Sequence, residues 1–235
     1  MWKLHHAIDR GHTKLDWLDS RHSFSFGDYI DPQRMGFRSL RVINEDHVAP
    51  GAGFRSHAHA NMEIITCVLK GTLTHRDSLG HQTTLTPGQF QCITAGSGIT
   101  HSEFNASETD EVWFYQVWIY PDVQNLTPGY QQVAITSQPG LNLVASRDGE
   151  SDSLRIQQEV RLFRACLKPG ADSRHPIAPG RHAWVQCMRG ELDITELASN
   201  RVMTLGPGDG LATSGSASIQ LSTTSMADAL MFDLV

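Results

Sequence analysis

Four residues of the 235-residue sequence have the types and spacing to hold a metal ion. His57 and His59 stand two apart in FRSHAHANMEI (54–64), and His101 and Glu103 stand two apart in AGSGITHSEFN (95–105). Alternate residues of a β-strand share a face, so each doublet projects two donors the same way, about 6.5 Å apart along the chain. On a helix, residues two apart point to nearly opposite sides, so HxH is a strand-type chelate. The chain carries 12 histidines, and one pair alone is a weak signal. Two same-face doublets on strands that face each other would converge three imidazoles and one carboxylate, and that combination is specific.

A mixed N/O set without thiolate suits Fe(II), and also Mn, Ni, Co, Cu or Zn. Four protein ligands leave one or two positions open, as a catalytic site requires. The choice of carboxylate stays open on spacing alone. Glu63 follows His59 by four residues and shares its strand parity, so it is an alternative to Glu103. Asn105, two beyond Glu103, is either a residue that orients a ligating imidazole or a strand-end turn residue. The remaining histidines read as bland: His5, His6, His12 and His22 as surface or strand-edge groups, and His75 and His81 as exposed flanks of the RDSLG turn.

The elements that would carry these doublets are short. Turn signals such as APGAG, LKGTL, TPGQ, KPGAD, MRGEL and GPGDG punctuate runs rich in Val, Ile, Leu, Thr and aromatics, among them SLRVIN, EIITCVL and VWFYQVWIY. Short strands at that spacing predict an all-β sandwich or barrel. The one modest helical candidate lies near residues 151–160. The punctuation also repeats: Gly51 precedes Gly71 by the same interval that separates Gly170 from Gly190, and Pro87 then matches Pro207. Two similar β-domains are therefore expected, at 1–130 and 131–235, with a seam around YPDVQNLTPGYQQ. By the first landmarks' offset of 119 residues, Pro176 and Ala178 fall where His57 and His59 do, and by the later offset of 120, Leu221 and Thr223 fall where His101 and Glu103 do. The second domain keeps the plan without the ligands and is expected to be structural or regulatory.

Composition bounds the rest. A formal net charge of -6 and a pI of about 6.0 argue against direct nucleic-acid binding, which needs a basic patch. Cys67, Cys92, Cys166 and Cys187 are scattered in apolar runs, the pattern of core-filling thiols in a reducing cytoplasm. No signal-like h-region and no membrane-length apolar window occurs.

The first half resembles the cupin pattern, with Gly51, His57, His59, Glu63 and Gly71 in its first motif and Pro87, Gly88, His101 and Asn105 in its second. More narrowly, the chain is similar over nearly its whole length to the pirin family, through GHTKLDWLDSRHSFSFGDYIDP, MGFRSLRVIN, HAHANMEIITCVLKGTLTHRDSLG and AGSGITHSEFN. The nearest resemblance is to bacterial pirins known as quercetin 2,3-dioxygenases. It implies a bicupin with one divalent metal ion, Fe(II) foremost, in the N-terminal barrel only, held by His57, His59, His101 and Glu103. It also implies a flavonol substrate bound through its 3-hydroxyl, dioxygen as co-substrate, and Glu103 as ligand and catalytic base. Eukaryotic pirins resemble the chain too, which gives an alternative: a redox-sensing regulator acting through a protein partner. Family members often have Pro within the HxH and a charged residue soon after, where this chain has Ala58, Ala60 and Asn61.

Overall fold

The computed structural model describes residues 1–135 and 138–235. Among them helical structure is limited to two 3-10 turns, Ala7–Asp9 and Glu150–Asp152, and the rest of the ordered backbone is strand. The helical candidate near 151–160 is thus a single 3-10 turn followed by the strand Leu154–Arg155. No helix among the described residues is long and apolar enough to cross a membrane. Two compact units result. The first comprises Gly11–Ile135 and Leu154–Gln158; the second takes Met1–Arg10 and the other described residues after Ile135.

The first unit pairs a large antiparallel sheet with a small one. The large sheet runs in the order Gly129–Ala134, Gln89–Thr94, Glu63–Lys70, Val112–Ile119, Leu40–Val48, Leu18–His22 and Gly11–Lys14. The small sheet runs Gly53–His59, Ile99–Asn105, Leu73–Asp77 and Gln82–Leu85. At its centre, EIITCVLK forms the strand Glu63–Lys70, buried at every residue but the last. β-Branched and apolar side chains of this kind fit a strand covered on both faces.

The inside of this unit is layered. Val68, Leu73, Leu85, Val112 and Phe114 form an apolar cluster at one end, and Ile64, Ile93, Ala95 and Ile99 form another. Between them the large sheet carries a row of polar residues in direct register: Gln91 opposite Thr66, Thr66 opposite Gln116, Gln116 opposite Asn44, and Asn44 opposite His22. Each strand therefore changes from apolar to polar and back at alternate positions, as Ile64, Thr66 and Val68 do. A polar layer enclosed this way must find partners within itself or in what it binds.

The second unit repeats the plan. Its large sheet contains Trp2–His5, Gly210–Ser214, His182–Arg189, Ala227–Leu234, Val160–Leu167 and Gly140–Ser146 in that order, with Asp172–Pro176, Ser218–Ser222, Leu192–Glu196 and Arg201–Leu205 in the small sheet. The N-terminal strand pairs with Gly210–Ser214 and sends Trp2 and Leu4 onto this unit's core. Here the interior is apolar: Ile177, Leu192, Ile194, Ile219, Leu221 and Met231 fill it. The repeat extends to backbone conformation. Gly71 and Gly190 both have left-handed φ, 76° and 74°, and a Cβ at either would meet the backbone of the strand or turn beside it. Only glycine serves at such a turn. His5 and His22, read as surface or strand-edge groups, are buried at 6% and 1% exposure: His5 lies on the edge strand Trp2–His5 with its ring 4.9 Å from that of Trp184, and His22 hydrogen-bonds Asn44 and Thr13.

Candidate metal centre

The two doublets come together on neighbouring strands of the small sheet. Gly53–His59 runs antiparallel to Ile99–Asn105, with Ile99 opposite His59 and His101 opposite His57. The register then shifts, so that Glu103 faces Phe54. The two-residue step on one strand answers to three residues on the other, the signature of a β-bulge. The bulge returns Phe54 to the same side as His57 and His59. All three side chains therefore line one cavity of about 640 Å³, together with Glu103.

The three imidazoles pack ring against ring. Centroids lie 4.7 Å apart for His57 and His59, 4.5 Å for His57 and His101, and 5.0 Å for His59 and His101. One ring nitrogen from each falls within a 4.8 Å span. His57 Nδ1 lies 2.7 Å from the Arg55 carbonyl oxygen, which can only accept; the proton is therefore on Nδ1 and the lone pair is on Nε2. Both ring nitrogens of His101 are buried without a hydrogen-bond partner. Burial, reinforced by the neighbouring imidazoles, pushes the pKa of His59 down to about 4 and that of His101 down to about 3. Three convergent imidazoles, with His59 and His101 held neutral by their lowered pKa values and the His101 nitrogens buried without a partner, fit a divalent ion, which needs deprotonated imidazole lone pairs.

Glu103 is buried at 1% exposure and is held from the facing sheet. Gln91 Nε2 donates to its Oε1 at 2.6 Å, and Gln116 Nε2 donates to its Oε2 at 2.7 Å. Its carboxylate shares a 4.8 Å span with His101 and His75. Glu63 lies elsewhere. The chain turns at Asn61, which has a φ of 52°, so Glu63 begins a strand of the large sheet and its parity with His59 is lost. Its carboxylate accepts from Thr94 Oγ1 at 2.8 Å and from the Gln157 backbone N–H at 3.3 Å. Asn105 donates to the carbonyls of Val48, Ala49 and Asp110 and accepts from the Ser107 N–H, which makes it a strand-end fastener with no contact to an imidazole.

Several residues at the site were not anticipated. His75, read from sequence as exposed, is fully buried: it pairs with Glu103 in register, stacks on Tyr130 at 4.7 Å and donates from Nε2 to Asp77 at 3.0 Å. The turn it flanks begins only beyond Asp77, so the residue still belongs to the barrel wall. Asp46 lies on the cavity wall with Ser20, His22 and Asn44. Burial pushes its carboxyl up to about 7, a hydrogen bond from Ser20 opposes the rise, and the Glu103 charge adds to it. The same cavity is also lined by the aromatic rings of Trp17, Phe26, Phe54 and Trp118. The edge of Trp118 meets both His59, at 4.9 Å, and Phe26, at 5.4 Å. A polar or charged residue in the middle of a run such as VINEDHV or WFYQVW is the signal that marks the polar layer.

Comparison with known proteins agrees with this architecture. Residues 4–119 match the family model described as Pirin, and residues 143–234 match the Quercetinase C-terminal cupin domain. The chain is 41% identical over 231 residues to a quercetin 2,3-dioxygenase of Escherichia coli (strain K12), covering 98% of this chain and 97% of the relative. It is 38% identical to a putative quercetin 2,3-dioxygenase of Pasteurella multocida, with 100% of both chains covered. The solved structure of the bacterial pirin YhhW from Escherichia coli in complex with nickel(II) superposes with a TM-score of 0.94 at 41% identity, over 100% of this chain and 99% of that one. Two cupin units in tandem, matched along nearly their full length by these relatives, make this chain a member of the pirin family.

Proposed function

We propose that the protein is a metal-dependent dioxygenase that cleaves a flavonol such as quercetin, with His57, His59, His101 and Glu103 holding one divalent ion. The observation that carries the reading is the convergence of the His57, His59 and His101 imidazoles, with the buried Glu103 carboxylate grouped with His101, beside a cavity partly lined by aromatic rings. A cavity of about 640 Å³ lies within the usual range for small-molecule sites. The names of the relatives, quercetin 2,3-dioxygenases, and the nickel(II) complex of one pirin support it further. Fe(II) suits the ligand set, as do the other divalent ions named above.

When bound, the ion supplies a Lewis acid for the substrate's 3-hydroxyl oxygen and a redox partner for dioxygen. The chain does the rest. Trp17, Phe26, Phe54 and Trp118 offer faces and edges to a planar aromatic ring system. Asp46, Asn44 and Ser20, which line the same cavity, offer hydrogen bonds to ring hydroxyls. Glu103, with two of its lone pairs taken by Gln91 and Gln116, keeps others to ligate and to accept the 3-hydroxyl proton.

The test follows flavonol absorbance and dioxygen uptake with metal-loaded and metal-free protein. The reading expects coupled loss of both, only with metal, and a large fall in turnover for Glu103→Gln. Metal binding without flavonol turnover under any tested ion would overturn it in favour of the regulatory alternative.

A further inference from the structure

The polar layer that faces the imidazoles is ordered so as to leave Glu103 little freedom. Gln91 and Gln116 sit on strands either side of Glu63–Lys70, in register with Thr66 between them. Two strand spacings put their backbones about 9.6 Å apart, wide enough for the carboxylate to reach between them. Each amide is itself fixed. Trp118 Nε1 lies 3.1 Å from Gln116 Oε1, and an indole N–H only donates. The oxygen of Gln116 must therefore face Trp118, which turns its NH₂ toward Glu103 Oε2. Gln91 Nε2 also donates to Thr66 Oγ1 at 3.1 Å, while its Oε1 accepts from the Tyr130 hydroxyl at 3.2 Å.

We propose that Gln91 and Gln116 are positioning residues that set the approach of Glu103 to the metal, and that Trp118 on the cavity wall fixes Gln116 in that role. The three imidazoles come from the small sheet, where bulge and register place them. The carboxylate comes from the same sheet but is aimed by the opposite one, through two amides. The two sheets thus determine the ligand set jointly. Because Trp118 also lines the cavity and touches His59, it connects the substrate wall to the carboxylate through two hydrogen bonds in series, by way of the Gln116 amide. The proposal rests only on the metal-binding part of the reading above and does not require flavonol as substrate.

The test uses full-length protein and Ni²⁺ or Co²⁺ in chelator competition, with the Co²⁺ absorption spectrum as a report on ligand geometry. Gln116→Leu and Gln91→Leu are each expected to weaken binding about 10- to 100-fold, the usual effect of removing a partner of a metal ligand. Trp118→Phe keeps an aromatic ring and removes the N–H; it is expected to weaken binding less, in the same direction, and to shift the Co²⁺ spectrum as Gln116→Leu does. The double variant is expected to match Gln116→Leu alone, because Trp118 acts through Gln116. Native affinity and spectrum in Trp118→Phe together with either Leu variant would overturn the proposal, and so would additive losses in the double variant. A wild-type protein that bound no metal would overturn both the proposal and the site.

Discussion

Replacing His101 by Leu in the metal-free protein gives the sharpest consequence of the site's electrostatics. In the folded state the pKa of His101 is pushed from 6.5 to about 3, a fall of about 3.5 units, first by burial and then by His57 and His75. At about 1.4 kcal/mol per unit, the folded state opposes protonation at this group by about 5 kcal/mol. The unfolded chain takes up the proton near pH 6.5 and the folded chain does not until about pH 3. Stability associated with His101 is therefore fully present above 6.5 and is lost as pH falls toward 3. His101→Leu removes this dependence and also removes two buried, unpartnered nitrogens. At neutral pH the metal-free variant should equal or exceed the wild type in stability. Two pH units below 6.5, the wild type should lose about 3 kcal/mol relative to the variant. His59 adds to the difference with the same sign, because its own depression is partly due to His101. Urea unfolding of both proteins across that range, with chelator present, measures it. A difference between them that stayed constant with pH would refute the electrostatic account of the site.

Four further expectations follow the same logic. Asp46→Asn should stabilise the protein above neutrality: a carboxyl raised from 3.8 to about 7 costs the fold stability as pH rises between those values, up to about 4 kcal/mol, and denaturation from pH 5 to 8 would show the slope vanish in the variant. Glu63→Gln should leave metal stoichiometry unchanged, as measured by elemental analysis, because the Glu63 carboxylate is engaged by Thr94 and Gln157. Leu221→Ala should cost about 2–5 kcal/mol in chemical denaturation with no change in metal content, since it opens a hole in the apolar interior of the second unit. Gly71→Ala should be destabilising in the same assay, by more than the roughly 1 kcal/mol typical of point substitutions, because both the left-handed φ and the nearby Val112 backbone oppose a Cβ.

Much of this architecture could be read from the sequence because it depends on local periodicity. HxH and HSE each declare a strand face, and turn glycines recur at matching intervals, so the doublets and the tandem repeat were both visible. What could not be read depends on which strands become neighbours. Glu63 has the right parity for a ligand only if the strand continues through Asn61, and the left-handed turn there sends it to another sheet. His75 looks like a turn residue until the strand Leu73–Asp77 is placed beside Ile99–Asn105, where it is pressed against Glu103 and Tyr130. Gln91, Thr66, Gln116, Asn44 and His22 lie far apart in sequence and form one row only through the register of five strands. Each is a single polar residue within an apolar run, a pattern with meaning only once the runs are paired. The displaced register between His101 and Glu103 is likewise a property of two strands together.

The central claim is that one divalent metal sits among His57, His59, His101 and Glu103. Anomalous diffraction at the absorption edge of the bound metal, from crystals of protein purified without added metal, tests it most directly. The account predicts a single peak in the first unit, within bonding distance of the three imidazoles and the Glu103 carboxylate. A peak held by His75, or one in the second unit, would contradict it.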